Sequence, residues 1–203
     1  MIGSALAFLK KVLDEHLLGE LDEGAEPMAA QVVFVEGDKL ETLVFKAEAV
    51  TLLLINVEEE RVLRQPDLHA RRVVDAQGVS SVVRGQPDLR LVLHLLFVAR
   101  FKAYDTAWDR LTQIIAFLQS TPVFDAASWP TLPPGIEKLV LELTPLKLEE
   151  QSEVWSALRA TQHPSVFYRA KLLVLHDAKS TTAEQVTLPV VVKVAQSPEP
   201  GRA

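Results

Sequence analysis

The stretch LRLVLHLLFVARF, residues 89–101, decides the fold class. Leu89, Leu91, Leu93, Leu95 and Phe97 occupy alternate positions and so share one face of an extended strand. Arg90, Val92, His94, Leu96 and Val98 share the other face, which turns apolar toward its C-terminal end. Residues 49–57 make the same demand more strongly, because Leu52, Leu53, Leu54 and Ile55 are apolar at consecutive positions and therefore on both faces. Strands of this kind need cover from both sides, by helices or by a neighbouring subunit.

The helices that supply this cover are predicted by a different period. Ile2, Ala5, Leu6, Leu9, Leu13 and Leu17 recur at three- and four-residue spacing, and Gly19, Gly24 and Pro27 end the run. Tyr104, Ala107, Trp108, Leu111, Ile114, Ile115 and Leu118 form a second stripe, opened by Asp105 and closed by Pro122. A third helix is predicted over 148–160, burying Val154, Trp155 and Leu158, with His163 and Pro164 breaking it. Both Trp108 and Trp155 are expected in the core. Shorter strand signals lie at 32–35, 139–143, 165–176 and 186–194, and the polar segment 67–87 reads as a projecting hairpin or long loop. The expectation is an α+β domain with a mixed, mostly antiparallel sheet packed by about three helices. It spans residues 1–177, followed by a strand-like arm at 178–196 and a disordered tail at 197–203.

Composition narrows the function. The 203 residues carry a formal charge of −6 and no cluster of Lys and Arg, so phosphate-backbone binding has no electrostatic footprint and no nucleic acid is expected. Cysteine is absent, which removes disulfides, thiolate metal sites and cysteine nucleophiles together. Lys10, Lys11, Asp14 and Glu15 interrupt the apolar N-terminus, and no run reaches the roughly 18 apolar residues of a spanning helix, so a soluble chain made in the cytoplasm is expected, with no membrane partner. Hydrophobic residues make up 48%, enough to leave aliphatic surface for an oligomer to cover.

The usual catalytic signatures need fixed spacings, because a nucleophile, base or ligand set must converge. The chain contains no GxGxxG, Walker loop, HExxH or GxSxG. Its five histidines, His16, His69, His94, His163 and His176, are scattered singly. His94 alone lies well inside a strong strand, where a hydrogen-bonded or subunit-boundary role outweighs that of a ligand. Glu58, Glu59 and Glu60 with Arg61 form a charge run directly after buried sequence and read as an interfacial strand end; strand alternation allows only Glu58 and Glu60 to share a side. Arg71, Arg72 and Arg84 flank the hairpin, and Trp129 sits in a loop as either an anchor or a binding hot spot. These eight residues are the interface candidates. No catalytic, cofactor-binding or metal residue is expected, and the chain is read as no enzyme.

Six segments in order resemble the tail-terminator, or cap, proteins of extracellular contractile injection systems of the antifeeding-prophage and Photorhabdus virulence cassette type. They are IGSALAFLKKVL at 2–13, VTLLLINVEEERVLR at 50–64, LRLVLHLLFVARFKAY at 89–104, FLQSTPVF at 117–124, LVLELTPLKLEEQSEVW at 139–155 and PSVFYRAK at 164–171. The resemblance implies a hexameric ring at the baseplate-distal end of the particle. That ring binds the last inner-tube ring and the last contractile-sheath ring, stops both polymers, and needs no cofactor. It also implies assembly in the cytoplasm and a place in a particle that is extracellular after release. Segments 67–87 and 177–203 match no motif of the family. Two other readings remain open from sequence: another ring-forming adaptor of a tail-like particle, or a small-molecule-binding or enzymatic α+β protein, which requires a pocket with converging polar groups.

Overall fold

The computed structural model describes residues 1–19, 31–35, 43–60, 70–74, 80–84, 89–174 and 185–186. The chain divides into two units, one of Met1–Leu63 with Asp88–Asp177 and one of Arg64–Pro87 with Ala178–Ala203.

In the first unit, helix α1 (Ile2–Gly19) leads to strands β1 (Val32–Phe34) and β2 (Ala49–Glu59). The second unit's β3 (Ala70–Val74) and β4 (Ser80–Arg84) intervene in sequence before β5 (Leu89–Arg100), α2 (Tyr104–Ser120), β6 (Val123–Asp125), β7 (Ile136–Leu143), α3 (Leu148–Leu158) and β8 (Ser165–Val174). The first unit's sheet has six strands in the order β1-β2-β5-β8-β7-β6. Only β1 with β2 is parallel; every other pair is antiparallel. The expected α+β class with a mixed, mostly antiparallel sheet and three helices is what the chain forms.

β5 lies central, between β2 and β8, and its alternation sorts the side chains as the sequence requires. Leu93, Leu95, Phe97 and Ala99 join Val50, Leu52, Tyr168, Ala170 and Leu172 in a core closed by the apolar faces of α1 and α2. Leu96 and Val98 point the other way and meet Leu53, Phe45 and Trp155 of α3 in a second, smaller core. Fully buried Leu and Phe side chains each contribute about 1.5–3 kcal/mol relative to exposure. Such cover on both faces explains why residues 92–99 include no Asp, Glu, Lys or Arg. α1 buries Ala5, Phe8, Leu9, Val12, Leu13 and Leu17, the stripe expected of it.

α1 is also tied to the sheet edge by a polar contact. The Asp14 carboxylate accepts hydrogen bonds from the backbone N–H groups of Gln31 at 2.6 Å and Val32 at 2.9 Å, so the entry to β1 is capped by a helix side chain. α3 ends with Arg159 in the left-handed region at φ 51°, and Glu48 at φ 55° makes the tight turn into β2. The Glu48 strain is held by two bonds: its N–H donates to Arg100 O at 2.7 Å and its carboxylate accepts from Lys102 N–H at 2.9 Å.

The structure departs from the sequence expectations in several elements. Trp108 is 41% exposed and Tyr104 70% exposed, so the first turn of α2 lies outside the core, and the two rings pack edge to face on each other at 6.2 Å. The α2 stripe begins in earnest at Ala107 and Leu111. After Pro122 the chain forms the short strand β6, which pairs with β7; the apolar pair Val123 and Phe124 was too brief to show a period. β7 starts at Ile136, three residues before the predicted 139. On α3 only Trp155 is fully buried, while Val154 and Leu158 are half-buried.

In the second unit, β3 and β4 pair antiparallel from Ala70↔Arg84 to Val74↔Ser80, so a hairpin stands within 67–87. β9 (Gln185–Val186) adds to β4 at Val82↔Val186. The rest of the predicted strand 186–194 and the tail 197–203 lie outside the described residues.

Candidate partner-binding surface

The charged end of β2 is shaped by an irregularity that the sequence does not announce. Leu54 opposes Leu95 and Asn56 opposes His94, so Ile55 is an extra residue in the ladder. A bulge of this kind reverses the alternation beyond it. Leu54 faces the larger core and Ile55 the α3 side, yet Asn56, opposite His94, also belongs to the α3 side. Glu58, two residues on, follows it there.

The outcome is a small polar cluster on the α3 face. Glu58 Oε1 accepts from Asn56 Nδ2 at 3.2 Å and lies 3.4 Å from His94 Nε2. His94 is the more enclosed partner, its side chain 27% exposed against 57% for Glu58. The 3.4 Å approach is not aligned as a hydrogen bond, so it acts as a charge contact only when the imidazole is protonated.

This cluster forms one wall of a groove of about 290 Å³ between the sheet and α3. Ile55, Leu146, Val154 and Phe167 give it apolar surface, and Glu150 and Glu153, three apart on α3, line the helix side. Glu150 Oε2 accepts the Lys147 N–H at 2.9 Å, which closes the first turn of α3 and fixes that carboxylate at the helix N-terminus, where the dipole favours it. Arg169 is the cross-strand partner of His94 and so belongs to the same face. Further out, Lys171 Nζ and Glu142 Oε1 neutralise each other at 2.7 Å. A groove with aliphatic walls and carboxylates at its mouth suits a long side chain with a cationic head. Among the described residues, no group of three or more His, Asp or Glu is placed to hold a metal ion.

The sequence candidates fall in both units. Glu58 and Glu59 are neighbours that point to opposite faces, opposing Val92 and Leu91, and the Glu60 N–H donates to Arg90 O at 2.9 Å just past the strand. Arg61 lies outside the described residues. Arg71 and Arg72 fall in β3 and Arg84 ends β4, all in the second unit. Trp129 is half-buried against the larger core, edge-on to Phe8 at 6.1 Å and tilted against Phe124 at 5.1 Å. Its loop is held by Asp125, whose carboxylate accepts the Ser128 N–H at 2.8 Å and is thereby kept below its ordinary pKa. Sequence reasoning missed Asn56, Glu150 and Glu153 as groove residues. The spacing of Glu150 and Glu153 was a legible signal, but the bulge that brings Glu58 to face them was not.

Comparison with known proteins places this architecture. The Pvc16 N-terminal domain family matches residues 5–188, nearly the whole chain. The chain belongs to that family. Among solved structures, the sheath/tube terminator of the extracellular contractile injection system PVC, in its extended state, aligns over 96% of this chain and 63% of its own length. Its TM-score is 0.51 at 16% identity, a likeness of fold. The tube-terminating cap of the anti-feeding prophage aligns over 95% of this chain and 61% of its own, with a TM-score of 0.48 at 15% identity. This chain thus spans somewhat under two thirds of each of those proteins. No curated protein matches it. No helix among the described residues is long and apolar enough to cross a membrane.

Proposed function

We propose that this chain is a structural cap of a contractile injection system, a protein that ends the particle's tube and sheath and catalyses no reaction. The observation that carries this reading is membership of the Pvc16 N-terminal domain family over residues 5–188, supported by a fold like that of a sheath/tube terminator. In this reading six copies form a ring through a heterologous, ring-closing interface. The ring binds the last tube ring and the last sheath ring and presents no equivalent surface to the next. Its partners are further copies of the chain, the tube protein and the sheath protein, with neither nucleic acid nor membrane. It assembles in the cytoplasm and leaves as part of the particle.

The interface residues in this reading are Glu58, Glu59, Glu60 and Arg61 at the end of β2, Arg71, Arg72 and Arg84 of the hairpin, and Trp129. What supports the β2 end is its exposure: Asn56, Val57, Glu58 and Glu59 are exposed, while the residues of the strand before them are buried or half-buried. Electron microscopy of particles assembled without this chain tests the cap role. Overlong or ragged tubes and sheaths are the expected result. Particles of normal length, or particles lacking baseplates, would overturn it.

A further inference from the structure

The charge of this chain is divided between its two units. Residues 64–87 and 178–203 carry seven Lys and Arg against four Asp and Glu, a net +3, so the first unit holds −9 of a chain whose total is −6. Within the hairpin, Arg71 and Arg72 are adjacent in β3.

The acidic unit offers a place for such a side chain. The groove between α3 and the sheet has Glu58, Glu150 and Glu153 at its mouth and Ile55, Val154 and Phe167 along its walls. Glu150 accepts a backbone N–H and Glu58 an amide, but among the described residues Glu153 has no ion-pair or hydrogen-bond partner. An arginine fits both features: its methylenes lie on the aliphatic and aromatic walls and its guanidinium meets carboxylates from two elements. At about 290 Å³ the groove admits one or two side chains and not a folded segment.

We infer that this groove receives Arg71 or Arg72 from the β3–β4 hairpin of a second copy of this chain. The inference rests on the ring-forming reading above and names the contact that closes the ring. A head-to-tail contact between a basic hairpin and an acidic groove uses different surfaces on the two partners, which is the requirement for a ring. Opposite charges on the two surfaces also speed encounter and set the register.

The chain's lack of cysteine gives a direct test, since any introduced thiol is unique. Chains carrying Glu153→Cys are mixed with chains carrying Arg71→Cys, or Arg72→Cys, during particle assembly and treated with a short bis-maleimide. Mixed dimers are expected in several-fold excess over either protein alone. Adding Glu58→Arg to the groove partner, or raising the salt, should reduce that yield. Because each chain holds one thiol, a link within a chain cannot mimic the result. Capture of the tube or sheath protein by the Glu153→Cys chain would give the groove to another occupant and overturn the inference. So would the absence of mixed dimers in particles of normal length, an outcome that leaves the cap role standing. If the variant chains leave the particles uncapped, the same mixing of concentrated purified chains decides the contact: mixed dimers uphold it and their absence rejects it, while the cap role is judged separately by particles assembled without this chain.

Discussion

His163 lies against the aromatic faces of Phe45 and Trp155, with ring centroids at 5.7 and 6.4 Å. Burial there holds its pKa below the ordinary 6.5, and the nearby Arg100 charge acts in the same direction. The unfolded chain therefore binds a proton more readily than the folded one between the depressed pKa and 6.5. Stability should be fully present above pH 6.5 and should decline as the pH falls toward the folded value. Urea titrations across this range test it: His163→Gln should flatten the slope, and an unchanged slope would remove His163 as the cause. Tyr168 acts at the opposite end. Burial raises its phenol to about 12, so its contribution is complete below pH 10 and is lost as the pH climbs through the folded value. Neither effect was legible in the sequence, because a lone histidine or tyrosine acquires its surroundings only from strands and helices distant along the chain.

At the scale of elements, the strong periods were legible and the joins were not. β5 and the buried stripes of α1 and α2 follow directly from residue spacing, since a helix or strand must put its apolar side against something. The Asp14 contact with Gln31 and Val32 joins α1 to β1 across 17 and 18 residues and leaves no local trace. Asp14→Ala should cost about 1–3 kcal/mol, because two backbone donors at the strand entry lose a charged acceptor. Asp14→Asn, which keeps one carbonyl acceptor, should cost less. Chemical denaturation of the two variants beside the parent checks the order. Trp108 shows the same limit from the other side: its spacing matched the α2 stripe, but the helix runs past the edge of the core there, leaving the ring 41% exposed.

For the whole molecule, the relevant property is how exposed charge is presented to partners. Reversing Glu58, Glu59 and Glu60 to lysine alters both faces of the β2 end and should leave the fold intact, since Glu58 and Glu59 are exposed in the strand and Glu60 is half-buried just past it. In the cap reading the reversed protein should give particles of altered length or fail to form rings, as seen by electron microscopy and native mass measurement. Ordinary assembly by the reversed, folded protein would remove this strand end from the interface. The position of that charge run and the separation of Glu58 from Glu59 were legible beforehand, but not which of them faces α3. Its division, with Glu58 toward α3 and Glu59 toward the α1 side, depends on strand alternation beyond the Ile55 bulge.

Residue order alone determined the α+β class, the doubly buried central strands, the three helices and the resemblance to injection-system caps, because each is written in local spacing or in contiguous segments. Tertiary structure decided the rest: the order of the six strands, the parallel pairing of β1, the small core beneath α3, and the groove that Glu58, Glu150 and Glu153 line together. These depend on residues tens of positions apart being brought within a few ångströms, and on one unpaired residue in a ladder. Pairwise packing and register create such features, and no local pattern encodes them.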